Sequence, residues 1–263
     1  MPPESAPAFE SKLPKITAAF WVMKIAATTL GETAGDLLSM TMKLGYALSS
    51  IILVSAFLAS LTTQLLARRH HPFLYWTVIL TTSTAGTTMS DYMDRSLGLG
   101  YARGSALLVT LLLCIFAFWR WQFGSLSVEH VRTRKVELLY WIAILFSNTL
   151  GTALGDFLAD SSGLGFAGGA ILIGACLAVV LAASFFTKIS RVLLFWIAFV
   201  LTRPFGATLG DVLTKTKAKG GLDLGTAGSS AVLGAILIVF VILATLRHRR
   251  AQSMTETTPV STA

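Results

Sequence analysis

Long apolar stretches alternate with short polar segments along the chain. Eight of these stretches approach the ~20 residues with which a helix crosses a hydrocarbon core of ~30 Å. They lie at about 16–36, 46–66, 73–92, 102–121, 138–158, 166–186, 192–211 and 227–246. The pattern predicts an all-α integral membrane protein with eight transmembrane helices. No small-residue cleavage site follows the first stretch, so we expect it to be a retained span and not a signal peptide.

One short motif, Gly-x-x-x-Gly/Ser-Asp, occurs four times, at 31–36, 86–91, 151–156 and 206–211. A tryptophan stands ten residues before the first glycine of each copy: Trp21, Trp76, Trp141 and Trp196. A Leu-Gly pair follows each copy, at 44–45, 99–100, 164–165 and 224–225. Four aligned copies predict four two-helix repeats, all entering the membrane from the same face. These parallel repeats would have pseudo-symmetry about the membrane normal, with the four aspartates near a common centre.

Composition and charge agree with a membrane protein. Hydrophobic residues make up 54% of the chain and charged residues 13%, against about 25% charged in soluble domains. The net charge of +8 would suggest a nucleic-acid partner in a soluble protein. Here, thirteen of the 21 Lys and Arg fall on the side that holds both termini, against six on the other side. By the positive-inside rule we expect both termini to be cytoplasmic, and no nucleic-acid partner is expected.

The repeats and the loop charges together set the expected domain boundaries. We expect a cytoplasmic tail at 1–15, repeats 1 and 2 at 16–121, a cytoplasmic linker at 122–135, repeats 3 and 4 at 136–246, and a second cytoplasmic tail at 247–263. Residues 251–263 are rich in Ser and Thr and are expected to be disordered. Cys114 and Cys176 lie in apolar runs and are expected to be buried rather than paired in a disulfide.

Carboxylates are concentrated in the four hairpins. The motif aspartates lie about five residues, ~7.5 Å, beyond a glycine that we place near the membrane midplane. Carboxylates at that depth are costly unless they face one another, water or a cation. The candidate metal ligands are Asp36, Asp91, Asp156, Asp211, Glu32, Asp94 and Asp160. Such oxygen ligands suit hard divalent cations, which enter here as the expected substrate and not as a resident cofactor.

Small and polar residues precede these aspartates on the same helical face. We predict a pathway or gate formed by Thr28, Ser83, Asn148, Arg203, Gly31, Gly86, Gly151 and Gly206. Glycines at this spacing let helices approach closely. Arg203 needs a carboxylate partner, for which Asp36, Asp91, Asp156 and Glu32 are the candidates. It would act either as an internal cation that competes with substrate or as a locking salt bridge, and Pro204 should kink its helix.

The motif tryptophans and Lys24 are expected to lie at the inner membrane surface. The motif tryptophans are predicted to be interfacial anchors. Lys24, one turn from Trp21, is expected to extend its amine to that surface.

The tandem Gly-x-x-x-Gly-Asp hairpins resemble a family of uncharacterised bacterial multi-pass membrane-anchored proteins, over roughly Ile16 to Leu246. The segment Glu32-Thr-Ala-Gly35-Asp36 is also similar to the Glu-x-Gly-Asp motif of calcium/manganese exporters. The first resemblance implies a protein of the bacterial inner membrane without a stated activity. The second implies cation transport, with manganese favoured.

Two classes of function follow from these observations. The first is a transporter of a divalent metal cation that uses the intramembrane aspartates. The alternative is a membrane scaffold or interaction protein in which the motif serves helix packing. No nucleophile–base arrangement and no phosphate-binding loop is present, so we expect no enzyme activity and no catalytic residue. Membrane lipid and a divalent cation are the expected partners, and a homo-oligomer stays open.

Overall fold

The part of the chain that the structure describes folds into eight long α-helices. The structure, a computed structural model, describes residues 13–67, 69–131 and 133–256. The helices are α1 (Ala18–Asp36), α2 (Tyr46–Leu66), α3 (Pro72–Asp91), α4 (Tyr101–Phe123), α5 (Arg134–Asp156), α6 (Gly165–Phe186), α7 (Arg191–Thr214) and α8 (Thr226–Glu256). Short 3-10 helices cover Val128–His130 and Lys217–Lys219. The parts of the predicted tails at 1–12 and 257–263, and the loop residues Arg68 and Arg132, lie outside the described residues.

Each apolar stretch of the sequence coincides with one long helix. Among the described residues, six segments are long and apolar enough to cross a membrane, and only α1 and α3 contribute none: Tyr46–Leu66, Tyr101–Phe123, Arg134–Ser161, Gly165–Phe186, Arg191–Thr214 and Thr226–Leu246. The two exceptions carry many polar side chains. These side chains are buried, as in Thr28 and Glu32 of α1 and in Thr82 and Thr87 of α3. Their polarity is therefore directed at other helices of the protein.

The odd-numbered helices form the interior. Among them, α1 packs against α3 and α7, and α5 also packs against α3 and α7, so the four close a ring. The even-numbered helices lie outside it, with α2 on α3, α4 on α5, α6 on α7 and α8 on α1. Each outer helix thus packs mainly on the inner helix of the next repeat. The outer helix of the fourth repeat, α8, packs on the inner helix of the first repeat, α1.

Close approach of the inner helices depends on the first glycine of each motif. A Cβ atom on Gly86 would lie 2.9 Å from the backbone carbonyl carbon of Asn148 and 3.0 Å from the amide nitrogen of Thr149, both in α5. In the same way Gly31 faces Ser83 of α3, Gly151 faces Arg203 of α7 and Gly206 faces Thr28 of α1. The motif glycines are therefore contacts between successive helices of the ring, as the small-residue pattern predicts.

Local geometry explains two further parts of the repeat. After Asp36, Asp91 and Asp156 the chain continues as π-helix, over Leu37–Thr41, Tyr92–Ser96 and Phe157–Ser161. Such π-helical turns occur often at functional sites. The Leu-Gly pair then starts the second helix of the hairpin. Gly45 and Gly100, which precede α2 and α4, both have φ of +75°, a conformation that a side chain disfavours.

The motif tryptophans and Lys24 are not at the surface, contrary to the sequence-based expectation. Trp76, Trp141 and Trp196 are buried and Trp21 is partly buried. Their rings pack at an angle against aromatic side chains of neighbouring helices: Trp141 lies 5.5 Å from Tyr75 of α3, and Trp196 lies 4.8 Å from Phe116 of the outer helix α4. Lys24 is fully buried as well, because its helix face points into the ring.

Two other predictions were also wrong. Cys114 and Cys176 are exposed free thiols, because they lie on the outer helices α4 and α6 and not in the ring. The last helix continues to Glu256, so residues 251–256 are helical and not disordered. Helix α7 runs through Pro204 without interruption.

Candidate functional site

A buried ion pair lies at the centre of the ring. Nη1 of Arg203, from α7, is 3.0 Å from Oε2 of Glu32, from α1, and both side chains are almost completely inaccessible to solvent. The hydroxyls of Thr87 and Thr152 donate to the same carboxylate oxygen at 3.3 and 3.2 Å. We call Arg203 and Glu32 the central pair. Glu32 is thus the partner of Arg203 among the four carboxylates that the sequence left open.

Arg203 connects all four inner helices. Its Nη2 donates to the hydroxyls of Thr87 in α3 and Thr152 in α5, at 2.6 and 2.7 Å. The guanidinium also donates to the backbone carbonyl of Ser83, at 3.3 Å, and to that of Thr28 in α1, at 3.5 Å. These contacts pair both terminal nitrogens of the guanidinium, while its Nε has no hydrogen-bond partner among the described residues. Its side chain therefore closes the centre of the ring.

The four motif aspartates follow the central pair by one helical turn and are all buried. We call them the aspartate layer. Asp36 and Asp211 share one cation, because Nζ of Lys215 is 2.8 Å from Oδ2 of Asp36 and 3.1 Å from Oδ1 of Asp211. Oxygens of Glu32, Asp36 and Asp211 all lie within 4.8 Å of one another. These three carboxylates are close enough to one another to hold one metal ion, which would compete with the ammonium of Lys215 for Asp36 and Asp211.

Asp91 and Asp156 share a second cation. Nε of Arg95 is 3.0 Å from Oδ1 of Asp91, and its Nη2 is 3.1 Å from Oδ2 of Asp156. The hydroxyl of Tyr46 accepts a hydrogen bond from Nη1 of Arg95 at 3.2 Å, and the ring of Tyr101 lies 5.6 Å from the guanidinium carbon. Tyr46 and Tyr101 directly follow the Leu-Gly pairs of repeats 1 and 2, and both contact this arginine.

Two predicted metal ligands lie away from this layer. Asp94 is buried against Gly104 of α4 and accepts a hydrogen bond from Ser90 at 3.4 Å. Asp160 is exposed, where it accepts from the hydroxyl of Tyr101 at 3.4 Å. Asp94 therefore faces the outer helix α4, and Asp160 contacts the first residue of the same helix. The structure therefore brings together five of the seven candidate ligands: Glu32, Asp36, Asp91, Asp156 and Asp211.

The predicted pathway residues do share the interior. Thr28, Ser83, Asn148 and Arg203 are all fully buried. The amide of Asn148 donates to the hydroxyl of Thr82 at 2.8 Å and to that of Ser83 at 3.4 Å. These side chains hydrogen-bond to one another and to backbone carbonyls across the ring. The polar face predicted from the sequence is therefore packed in the interior, and Oδ1 of Asn148 has no hydrogen-bond partner among the described residues.

Lys24 precedes Glu32 by two helical turns in α1. It therefore lies on the side of the central pair that is opposite to the aspartate layer. Its Nζ is 4.0 Å from the ring centroid of Phe199. Within the described part of the chain the amine has no hydrogen-bond partner. An aromatic face attracts a cation, so this contact stands in for a carboxylate.

Sequence reasoning missed Arg95 and Lys215 as members of the site. Both follow their motif aspartate by four residues, while repeats 1 and 3 have Met40 and Asp160 at that position. A basic residue four positions after a helical aspartate lies beside it, which was the available signal. Both residues lie just beyond the predicted spans, where a basic residue also fits the charge pattern that sets topology.

The four repeats match one family model, described as Repeat of Unknown Function (DUF347). The matches cover residues 19–70, 74–124, 139–190 and 194–250, with one Gly-x-x-x-Gly/Ser-Asp motif in each. The chain belongs to the DUF347 family. This confirms the prediction of an uncharacterised family with four tandem repeats. In the DUF347 repeat the motif glycine supplies the helix contact and the motif aspartate supplies the buried carboxylate.

The other comparisons add no relative. No curated protein and no solved structure matches the chain. The similarity to calcium/manganese exporters gains no support from these comparisons.

Proposed function

We propose that the protein crosses the bacterial inner membrane eight times, with both termini in the cytoplasm. In this arrangement α1, α3, α5 and α7 are related by a pseudo-four-fold axis along the membrane normal. The cyclic packing of each outer helix on the next inner helix supports it. The cyclic contacts of the four motif glycines support it as well. Because α1 and α3 are enclosed, their polar side chains do not face lipid.

The orientation can be tested by cysteine labelling. With Cys114 and Cys176 replaced by alanine, Gln122→Cys and Ser162→Cys place a thiol at an exposed position on each predicted side. A membrane-impermeant maleimide added to intact cells should label Ser162→Cys at least tenfold more than Gln122→Cys. Lysis should make the two equally reactive, which controls for intrinsic reactivity. Equal labelling in intact cells would contradict the proposed topology.

We propose that the protein transports a divalent metal cation through the ring, and the observation that carries this proposal is the clustering of five buried carboxylates. Glu32 and the aspartate layer carry five negative charges, and Arg95, Arg203 and Lys215 carry three positive charges. The cluster therefore has a formal charge of −2, and of −3 when Lys215 moves away, so it attracts a cation. Buried charges that are not compensated are costly.

The substrate enters the aspartate layer by replacing the ammonium of Lys215. The side chain of Lys215 is 21% exposed and follows the last turn of α7, so it can move away without disturbing the helix. Glu32, Asp36 and Asp211 then supply hard oxygen ligands. Passage beyond this layer requires the central pair to separate. Arg203 therefore acts as the internal counter-charge.

Purified protein in liposomes provides the main test, with Mn²⁺ as the probe. Asp36→Asn and Asp211→Asn each remove one ligand charge and should lower Mn²⁺ uptake at least tenfold. Lys215→Met removes the competing cation and should bind Mn²⁺ more tightly than the unmodified protein. Isothermal titration measures the binding and a fluorescent Mn²⁺ indicator measures the flux.

Asp223→Asn is the matched control. Asp223 is exposed outside the cluster and has φ of +59°, which asparagine also tolerates. The Asp223→Asn variant should take up Mn²⁺ as fast as the unmodified protein does. Wild-type uptake in Asp36→Asn and Asp211→Asn, in protein that inserts normally, would overturn the transport proposal.

A scaffold remains the second candidate, because the motif glycines are direct helix–helix contacts. On that proposal the carboxylates and their cations only tie the helices together. Lys215→Met would then lower the melting temperature without any gain in Mn²⁺ affinity, which distinguishes the two functions.

A further inference from the structure

A groove lies on the outside of the ring between α4 and α7. Its volume is about 640 Å³, within the size of small-molecule sites. Leu112, Phe116, Trp196 and Val200 line it. Almost all of the lining is aliphatic or aromatic, so its occupant must present a long apolar surface.

One end of the groove is polar and positively charged. Arg120, Ser125 and Ser190 line that end. Arg120 is exposed, and so are Lys188 and Arg191, which lie within two residues of Ser190. The linker closes over this end, where the carbonyl of Leu126 accepts a hydrogen bond from the indole nitrogen of Trp196 at 2.9 Å. An anionic group at this end would meet the guanidinium of Arg120, which lines the groove, and Lys188 and Arg191 flank Ser190 in the sequence.

The length of the groove matches one leaflet. From Arg120 it follows α4 to Val109, a distance of about 16 Å at 1.5 Å per residue. Half of a ~30 Å hydrocarbon core is about 15 Å. The groove is therefore charged at the depth of lipid headgroups and apolar at the depth of acyl chains.

We propose that this groove is a specific site for one anionic phospholipid, whose headgroup contacts Arg120 and whose acyl chain lies between α4 and α7. Basic pockets between transmembrane helices bind anionic headgroups. A second copy of the chain is a poorer occupant, because it would bring its own basic residues against the same rim. The proposal depends on insertion into a membrane and is independent of cation transport.

Native mass spectrometry of the purified protein tests the site, with phosphatidylglycerol and phosphatidylcholine of identical acyl chains as probes. The unmodified protein should retain phosphatidylglycerol in preference to phosphatidylcholine. Arg120→Gln should weaken phosphatidylglycerol retention about fivefold, the effect expected of one basic residue near a membrane surface. Arg103→Gln makes the same change in an exposed residue near the other end of α4 and should have no effect.

A second pair of variants tests the apolar part. Leu113 lines the groove and is exposed, while Ile171 is equally accessible on α6 and lies elsewhere. Leu113→Trp should reduce the retention of both lipids, and Ile171→Trp should not. Equal retention of the two lipids by the unmodified protein, the same loss in Arg120→Gln and Arg103→Gln, or a dimer that covers the groove would each overturn the proposal.

Discussion

Replacing Arg203 by methionine is expected to destabilise the folded protein by about 3–5 kcal/mol, the usual cost of leaving one member of a buried ion pair alone. Methionine keeps much of the volume but leaves Glu32 charged and without its cation. It also removes the donors to Thr87 and Thr152. Thermal unfolding of the detergent-purified protein, followed by tryptophan fluorescence, measures the change.

The double variant Glu32→Gln with Arg203→Met separates the charge from the packing. With both charges gone, no unpaired ion stays in the interior, so the double variant should melt at a higher temperature than Arg203→Met alone. Arg103→Met is the control for loss of an exposed arginine. A double variant no more stable than Arg203→Met would show that the central pair does not contribute through its charge.

Gly86→Ala is expected to have the second large effect. It should lower the free energy of unfolding by about 1–3 kcal/mol through overpacking. The new Cβ would meet backbone atoms of Asn148 and Thr149 at 2.9 and 3.0 Å. Backbone cannot rotate away as a side chain can, so α3 and α5 must separate. An alanine in an ordinary helix position would instead stabilise by up to ~1 kcal/mol. The sign of the change therefore reports the helix contact, and thermal unfolding measures it.

Gly228→Ala is the matched comparison. Gly228 is in α8, and nothing lies within 4 Å of the position its Cβ would take. This variant should be as stable as the unmodified protein or slightly more stable. If Gly86→Ala and Gly228→Ala changed the melting temperature in the same direction, the close approach of α3 and α5 at Gly86 would be contradicted.

The sequence predicted the helices well because two signals coincided in it. Apolar length located the eight helices within a few residues at most ends. The repeated motif then identified which helices are internal, since Asp36, Asp91, Asp156 and Asp211 had to face one another. Both signals depend on spacing along one chain, which a sequence displays directly.

The partners of the buried charges were less predictable. The pairing of Arg203 with Glu32, rather than with an aspartate, depends on the rotation and height of α7 relative to α1. The exposure of Cys114 and the burial of Trp141 depend on which flank of a helix meets its neighbour. Apolar composition does not distinguish a face that meets lipid from one that meets another helix, because both are hydrophobic.

The ring is closed by contacts between the first and the fourth repeats, which are the first and the last to be synthesised. The contact between Glu32 and Arg203 spans 171 residues, and that between Asp36 and Lys215 spans 179. The first hairpin thus leaves the ribosome with two carboxylates whose cations have not yet been synthesised. Until the fourth repeat arrives, these groups must be protonated, hydrated or kept near the membrane surface. Assembly of the interior is therefore a late event in biogenesis, completed by the last hairpin to be translated.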